Sequence, residues 1–506
     1  QTYADFMVNI NKRIDDFTVV VNAGTSLSDN SSDLLGYGGP IRDTGVPNVF
    51  NVFDLDNAKK RATQEGWEEM TQSIFASAEI GWKSMLYLTL TGRNDWASQL
   101  KGSNPTSFFY PSVGLSAVIS EMVTLPKAID YLKVRGSFSS VGIPYPHFLV
   151  QPTYSYDPTK QDWNAKTHYP IGKLKPERTD SWEIGVDGTF FKDFKVSGSF
   201  YYANTYNQTF DPKITVSSGY STLYVQTGYV RNLGVEGLLS YGHTWRDFGW
   251  NSNFTFSWNK NKIVELVKDY VHPETGEIVN KDRLELKGLG YTKFILKEGG
   301  TLGDLYTNAD FIRDDKGYIQ IDKNGDVAKT DNLPDIKLGS VFPKANLAWN
   351  NSFSYKGIYA GFQLSARLGG IVYSATQAAL DQYGVSEASA AARDRGGVLV
   401  NGRSWVNAQQ YYEIVATSSG LPQYYTYSAT NLRLQEAHIG YTIPRKWLGN
   451  ICDINVSVVG RNLWMIYCKA PFDPEAIATT NNFYQGIDYF MMPSTRNFGF
   501  NVKINF

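Results

Sequence analysis

The chain lacks any apolar run of about 18 residues, the least that a spanning helix needs, and its mean hydropathy is −0.32. A helical membrane protein is therefore excluded. A membrane β-barrel is not, because half of each of its strands faces water or a polar lumen and averages the hydropathy away. Net charge is almost absent, at −1 with a pI near 6.6, so the chain shows no electrostatic footprint of a nucleic-acid binder and none is expected as a partner. Cysteine is scarce. Cys452 and Cys468 fall on one expected strand and the loop beyond it, and read as unpaired rather than bridged. The five histidines, His147, His168, His243, His272 and His438, show no paired ligand spacing, so they indicate no metal site. No glycine-rich phosphate loop follows a strand and opens a helix, and no Ser/His/Asp order sits on a scaffold signal. Neither an enzyme nor a bound cofactor is expected. Gln1 follows neither an initiator Met nor a signal peptide, so the chain reads as mature, processed or a fragment.

What is present is alternation. In the last ten residues, Asn497 to Phe506, every even position is apolar and every odd one is polar or Gly. That is a strand with one wholly apolar face, ending on an aromatic. A transmembrane barrel uses such an ending because closure pairs its last strand with its first. Phe498, Phe500, Val502, Ile504 and Phe506 are expected to face lipid. Phe498, Phe500 and Phe506 are assigned to closure and assembly of the barrel. The same period recurs in Phe17, Val19, Val21 and Ala23, in Trp182, Ile184 and Val186, in Phe254, Phe256 and Trp258, and in Ile454, Val456 and Val458. The chain also carries 33 Tyr and 12 Trp, residues that suit the two membrane–water interfaces.

The pattern predicts about fifteen strands: 1–12, 16–27, 68–80, 83–94, 108–121, 130–141, 179–191, 193–206, 229–243, 249–263, 344–356, 358–370, 429–443, 453–465 and 495–506. An extra hairpin within 285–312 would raise the number. Short connections near Asp15, Gly81, Lys192–Asp193, Asp247 and Lys356–Gly357 alternate with long ones, the longest being 262–343 and 371–428. Tight periplasmic turns and long extracellular loops are the habit of outer-membrane barrels. The fold class expected is all-β, a transmembrane antiparallel β-barrel. Because a short turn follows it, the first strand runs the same way as the last. Two such edges cannot close on each other, so residues 1–506 read as the C-terminal part of a larger barrel.

Several segments, in order along residues 91–506, resemble the SusC/RagA family of TonB-linked outer-membrane transporters of Bacteroidetes. They include Thr91-Gly-Arg-Asn-Asp-Trp96, Leu174-Lys-Pro-Glu-Arg-Thr179, Asn232-Leu-Gly-Val-Glu-Gly237, Asn431-Leu-Arg-Leu434, Gly440-Tyr-Thr-Ile-Pro444, Gly460-Arg-Asn-Leu463, Asp473-Pro-Glu475 and Pro493-Ser-Thr-Arg-Asn-Phe498. The resemblance implies a barrel of about 22 strands around an N-terminal plug, with fifteen strands here. The plug and the first strands would be absent from this chain. It further implies import of oligosaccharides or oligopeptides into the periplasm, energy delivered by TonB through the plug, a SusD-like surface lipoprotein as a lid, and contact with outer-membrane lipid. The alternative is a passive general porin of about sixteen strands.

Loop aromatics are the candidate substrate contacts, since flat rings stack on sugars or pack on peptide side chains: Tyr154, Tyr156, Trp163, Trp405, Tyr424 and Tyr425, with Tyr169, Tyr383, Tyr411 and Tyr412 beside them. The same rings could simply hold long loops together. Asp322, Asn324 and Asp326 form a weak candidate for a cation. Their Gly325 comes at the fourth position rather than the sixth of a calcium loop, and Asn-Gly is itself a turn signal.

Overall fold

The computed structural model describes the chain outside residues 44–48, 50, 102–105, 146–154, 158–161, 165–167, 170–174, 211–221, 224, 227, 272–275, 277, 291, 480–484 and 506. Fifteen strands form one antiparallel sheet in which each strand pairs with its neighbours in sequence. They are β1 Thr2–Ile14, β2 Phe17–Gly38, β3 Arg61–Trp82, β4 Leu86–Ala97, β5 Ser107–Val118, β6 Ile129–Ile143, β7 Glu177–Phe190 and β8 Phe194–Tyr206. Then come β9 Tyr229–Trp245, β10 Phe248–Glu265, β11 Ala345–Tyr355, β12 Ile358–Leu368, β13 Asn431–Ile443, β14 Asp453–Cys468 and β15 Asn497–Asn505. Every strand expected from alternation is present. The hairpin expected within 285–312 exists too, as Arg283–Lys287 with Lys293–Lys297, but it joins Asp304–Thr307 and Ile336–Ser340 in a separate four-stranded sheet. It adds nothing to the wall. An odd wall leaves β1 and β15 running the same way, as the loop pattern predicted.

Register keeps the two faces apart. Phe254 lies opposite Leu239 and Trp349, Val458 opposite Ile439 and Phe500, and Val456 opposite Tyr441 and Val502. A slip of one residue anywhere would turn these side chains to the other face. The opposite face is polar. There Arg135 bonds Asp187 at 2.6 Å and Glu183 at 3.5 Å, and Ser197 donates to Asp187 at 2.6 Å. On the same face Asn261 donates to Asn232 at 2.9 Å and Thr442 to Asn455 at 2.6 Å. Two glycines there make room for rings. A Cβ on Gly234 would sit 2.2 Å from the Tyr201 ring directly opposite, and one on Gly440 would sit 2.4 Å from Tyr359.

The short connections are tight. Lys83 and Ser84, and again Phe191 and Lys192, hold positive φ in succession. That is the hairpin turn whose twist matches its strands. The turn expected near Gly81 falls just beyond it, after Trp82. Around this end the apolar face carries a chain of rings: Phe194–Tyr241 at 4.6 Å, Tyr241–Trp250 at 5.1 Å, Trp250–Phe353 at 6.4 Å and Phe353–Phe362 at 6.4 Å. Trp250 donates its indole N–H to Asn351 at 3.1 Å, which meets the need of a buried indole for a partner. Cys452 precedes β14 and Cys468 ends it, so the length of an extended strand separates the two thiols and both are free.

All the long connections leave from the other end of the meander. Two of them, 266–344 and 369–430, build most of a folded cap, and 469–496 returns across it. The cap includes three eight-residue helices, α1 Ala375–Gln382, α2 Glu387–Asp394 and α3 Ala408–Val415. Each begins on a side-chain cap: Ser374 accepts from the Gln377 N–H, Ser386 from Ser389, and Asn407 from Gln409 and Gln410. Within 371–428, expected as loop, these helices are the departure from the sequence reading. The fully buried large side chains lie in the cap or where strands enter it: Phe294, Leu296, Leu305, Val341 and Leu421, with Val230 and Ile263 at the upper ends of β9 and β10.

Candidate functional site

Among the described residues, the cap is where a packed interior meets irregular, side-chain-rich surface, the kind of surface that carries recognition. Its main core joins Phe294, Leu305, Phe311, Val341, Tyr373, Val406, Val415, Leu421, Tyr425 and Ile487. Residues far apart in sequence therefore move as one body. The strand Ile371–Ser374 pairs antiparallel with Thr426–Ser428 and parallel with Ile487–Asp488. Asp488 seals that junction, accepting from Ser374 at 2.6 Å and Thr376 at 3.0 Å.

The last long connection is tied down by charge. Arg433, on the polar face of β13, is buried and bonds Asp473 at 2.6 Å, Glu475 at 3.5 Å and Ser494 at 3.5 Å. Ser494 also donates to Asp473, and Asn431 donates to Glu475 at 3.3 Å. Burial pushes the Asp473 carboxyl up. Hydrogen bonds from Ser494, the Glu475 N–H and Arg433 outweigh that and hold it below the usual carboxylate range. Three segments quoted separately from the sequence, around Arg433, Asp473 and Ser494, thus meet at one guanidinium. Taken singly in the sequence, each is a strand or loop motif, and only the fold makes them partners.

The candidate aromatics divide. Trp405 lies on the hairpin Val398–Val400 with Ser404–Val406 and is exposed. Tyr424 is part-exposed, its ring edge-on to Phe311 at 5.3 Å and its hydroxyl accepting from Arg313 at 3.4 Å. Tyr425, expected beside them on the surface, is instead a core residue at 4% exposure, and its hydroxyl donates to Asp381 at 2.9 Å. Tyr411 packs between Phe311 and Tyr412, and burial raises its pKa to about 12. Trp163 is exposed and pairs with Tyr156 in a separate short hairpin, Ser155–Asp157 with Asp162–Asn164. Tyr154 and Phe506 lie outside the described residues. The group is therefore two clusters, one on the 369–430 segment and one on the 155–164 hairpin.

Asp322 sits at a hairpin turn, where one carboxylate oxygen accepts from the N–H groups of Asn324 at 2.8 Å and Asp326 at 3.0 Å. Gly325 takes φ +86° there. Asp314 does the same eight residues earlier, accepting from Lys316 and Tyr318 at 2.9 Å each. Turn formation accounts for both. Among the described residues no three His, Cys, Asp or Glu side chains gather as metal ligands.

A family model described as TonB dependent receptor-like, beta-barrel, matches residues 2–463. The TonB-dependent receptor P3 of Formosa agariphila is 24% identical over 463 residues, covering 85% of this chain and 45% of that protein. The TonB-dependent receptor SusC of Bacteroides thetaiotaomicron is 24% identical over 246 residues, 43% of this chain and 24% of its own length. Among solved structures, the RagAB peptide importer in its "closed-closed" state matches all of this chain and 55% of its own with a TM-score of 0.74 at 16% identity. That last likeness is one of fold. The chain spans about half the length of the proteins it matches most extensively.

Proposed function

Because the chain belongs to the TonB-dependent receptor β-barrel family of the bacterial outer membrane, we propose that it forms the C-terminal part of a SusC-type importer. It supplies fifteen wall strands and the extracellular cap. The remaining strands, of about 22, and an N-terminal plug complete the barrel. TonB delivers energy through that plug, a SusD-like lipoprotein seats on the cap as a lid, and the cargo is an oligosaccharide or oligopeptide. Trp405, Tyr424 and Trp163, the exposed members of the aromatic set, are offered to that cargo, while Tyr425 holds the cap together.

One observation carries this reading. The wall has a polar inner face and an uneven number of strands, and three of its long connections, 266–344, 369–430 and 469–496, fold together at one end around a shared core. A barrel of more than 20 strands encloses a lumen wide enough to need a plug, and a preformed cap gives a lid something to close upon. In planar bilayers the full-length protein is expected to be nearly non-conducting at rest. Steady porin-like conductance would overturn the reading and favour the passive pore. Loss of uptake in cells without TonB, and co-purification of a surface lipoprotein in mild detergent, are the two further results expected.

A further inference from the structure

Beside the buried carboxylate of Asp381 the cap holds a cavity of 280 Å³, enclosed by α1, α2 and α3 and lined by Asp381, Tyr383, Arg393, Tyr412 and Glu413 among others. Its floor is charged. Asp381 is 6% exposed and receives neutral donors only, Tyr425 at 2.9 Å and Gln377 at 3.0 Å. Glu413, an exposed residue of the same lining, accepts from Gln409 at 2.8 Å with one oxygen. Arg393 is the cation of the lining, and its guanidinium donates through Nη1 to the Gly384 carbonyl rather than to either acid. Unlike charges that share a cavity and do not pair leave their fields directed into it. A buried carboxylate without a cation also carries a desolvation cost that an incoming cation relieves.

We propose that this cavity binds the amino-terminal residue of a peptide. The ammonium sits against Glu413 in the field of Asp381, and the first carbonyl accepts from Arg393. The first side chain packs between the rings of Tyr383, which is exposed, and Tyr412. The volume lies just under the range of drug-sized pockets, and so suits a terminal residue rather than a whole chain. A neutral glycan offers no cation for the acids. The inference rests on the importer reading and narrows its cargo to peptides with a free amine.

The test is calorimetric titration of the full-length protein, in its native outer-membrane complex, with trialanine and N-acetyl-trialanine. Acetylation is expected to weaken binding at least tenfold. Glu413→Gln, a surface change that keeps shape and fold, is expected to remove that difference. Equal binding of both peptides by the unaltered protein, or an undiminished preference in Glu413→Gln, would overturn the site. Uptake separates the two layers of the argument. Import of trialanine without amine-dependent binding leaves the importer and removes the site, whereas amine-dependent binding without import leaves the site and removes the importer.

Discussion

The wall and the cap place the same kinds of residue in opposite ways. On the wall Phe500 is 81% exposed, whereas in the cap Phe294 is fully buried. The wall is one layer, so its apolar face has no protein to pack on, and the proposed barrel sets that face against lipid. Its own cohesion comes from backbone pairing and from polar ladders such as Arg135–Asp187–Ser197. The cap stands in water and must build a core, and it does so from segments separated by tens of residues. The lesson concerns exposure. An exposed aromatic means a membrane on one half of this molecule and a possible ligand contact on the other.

The sharpest way to loosen the cap while leaving the apolar face of the wall intact is Arg433→Ala, a change on the polar face of β13. It strands the nearly buried Asp473 carboxylate without its cation, at a cost of roughly 3–5 kcal/mol. Limited proteolysis should then cut within 469–496 while strand content holds. Acid should act in the same direction. Asp473 has a depressed pKa, so its contribution is present above the unfolded carboxylate value and is lost as pH falls through the lower folded one. Cleavage of that segment should therefore rise below about pH 4, and less so in Asp473→Asn, which no longer titrates.

Phe294→Ala compares the two regions by one chemistry. In the cap it opens a cavity and should cost roughly 3–5 kcal/mol. Phe500→Ala leaves a gap that lipid fills and should cost less, which differential scanning calorimetry of the two variants would measure. Val502→Arg against Lys503→Arg tests the wall alone. The first should cost on the order of 2–4 kcal/mol near the bilayer midplane and the second almost nothing, read as folding yield into vesicles. Tyr425→Phe against Tyr424→Phe is the smallest contrast. Losing the Tyr425 hydroxyl removes one of the donors to Asp381, at about 1–3 kcal/mol, while the Tyr424 change should leave melting unmoved.

The wall was legible because its signal is local. Period-two alternation needs no knowledge of partners, so segments such as 193–206 and 453–465 came out close to Phe194–Tyr206 and Asp453–Cys468. The misjudged ends show the limit. β2 and β3 each run 22 residues, well past the expected 16–27 and 68–80. In their far halves the apolar/polar alternation lapses, as in Asp29 to Asp33 opposite Gly66 to Met70, while backbone pairing continues to Gly38 and Arg61. The cap was not legible. Its helices are only eight residues long, two of the three rich in alanine, and its core joins Phe294 to Val406 and Ile487, a relation that no window of sequence contains. Among the site residues, exposure of Trp405 followed from its loop position, whereas burial of Tyr425 depended on Asp381, 44 positions away.

In the proposed barrel the apolar face of the wall meets lipid. Nitroxide labels placed singly along 497–505, in the full-length protein reconstituted in bilayers, test it most directly. Accessibility to dissolved oxygen should alternate, high at 498, 500, 502 and 504 and low between them, with a water-soluble nickel relaxant showing the reverse. A flat profile, or maxima at the odd positions, would contradict it.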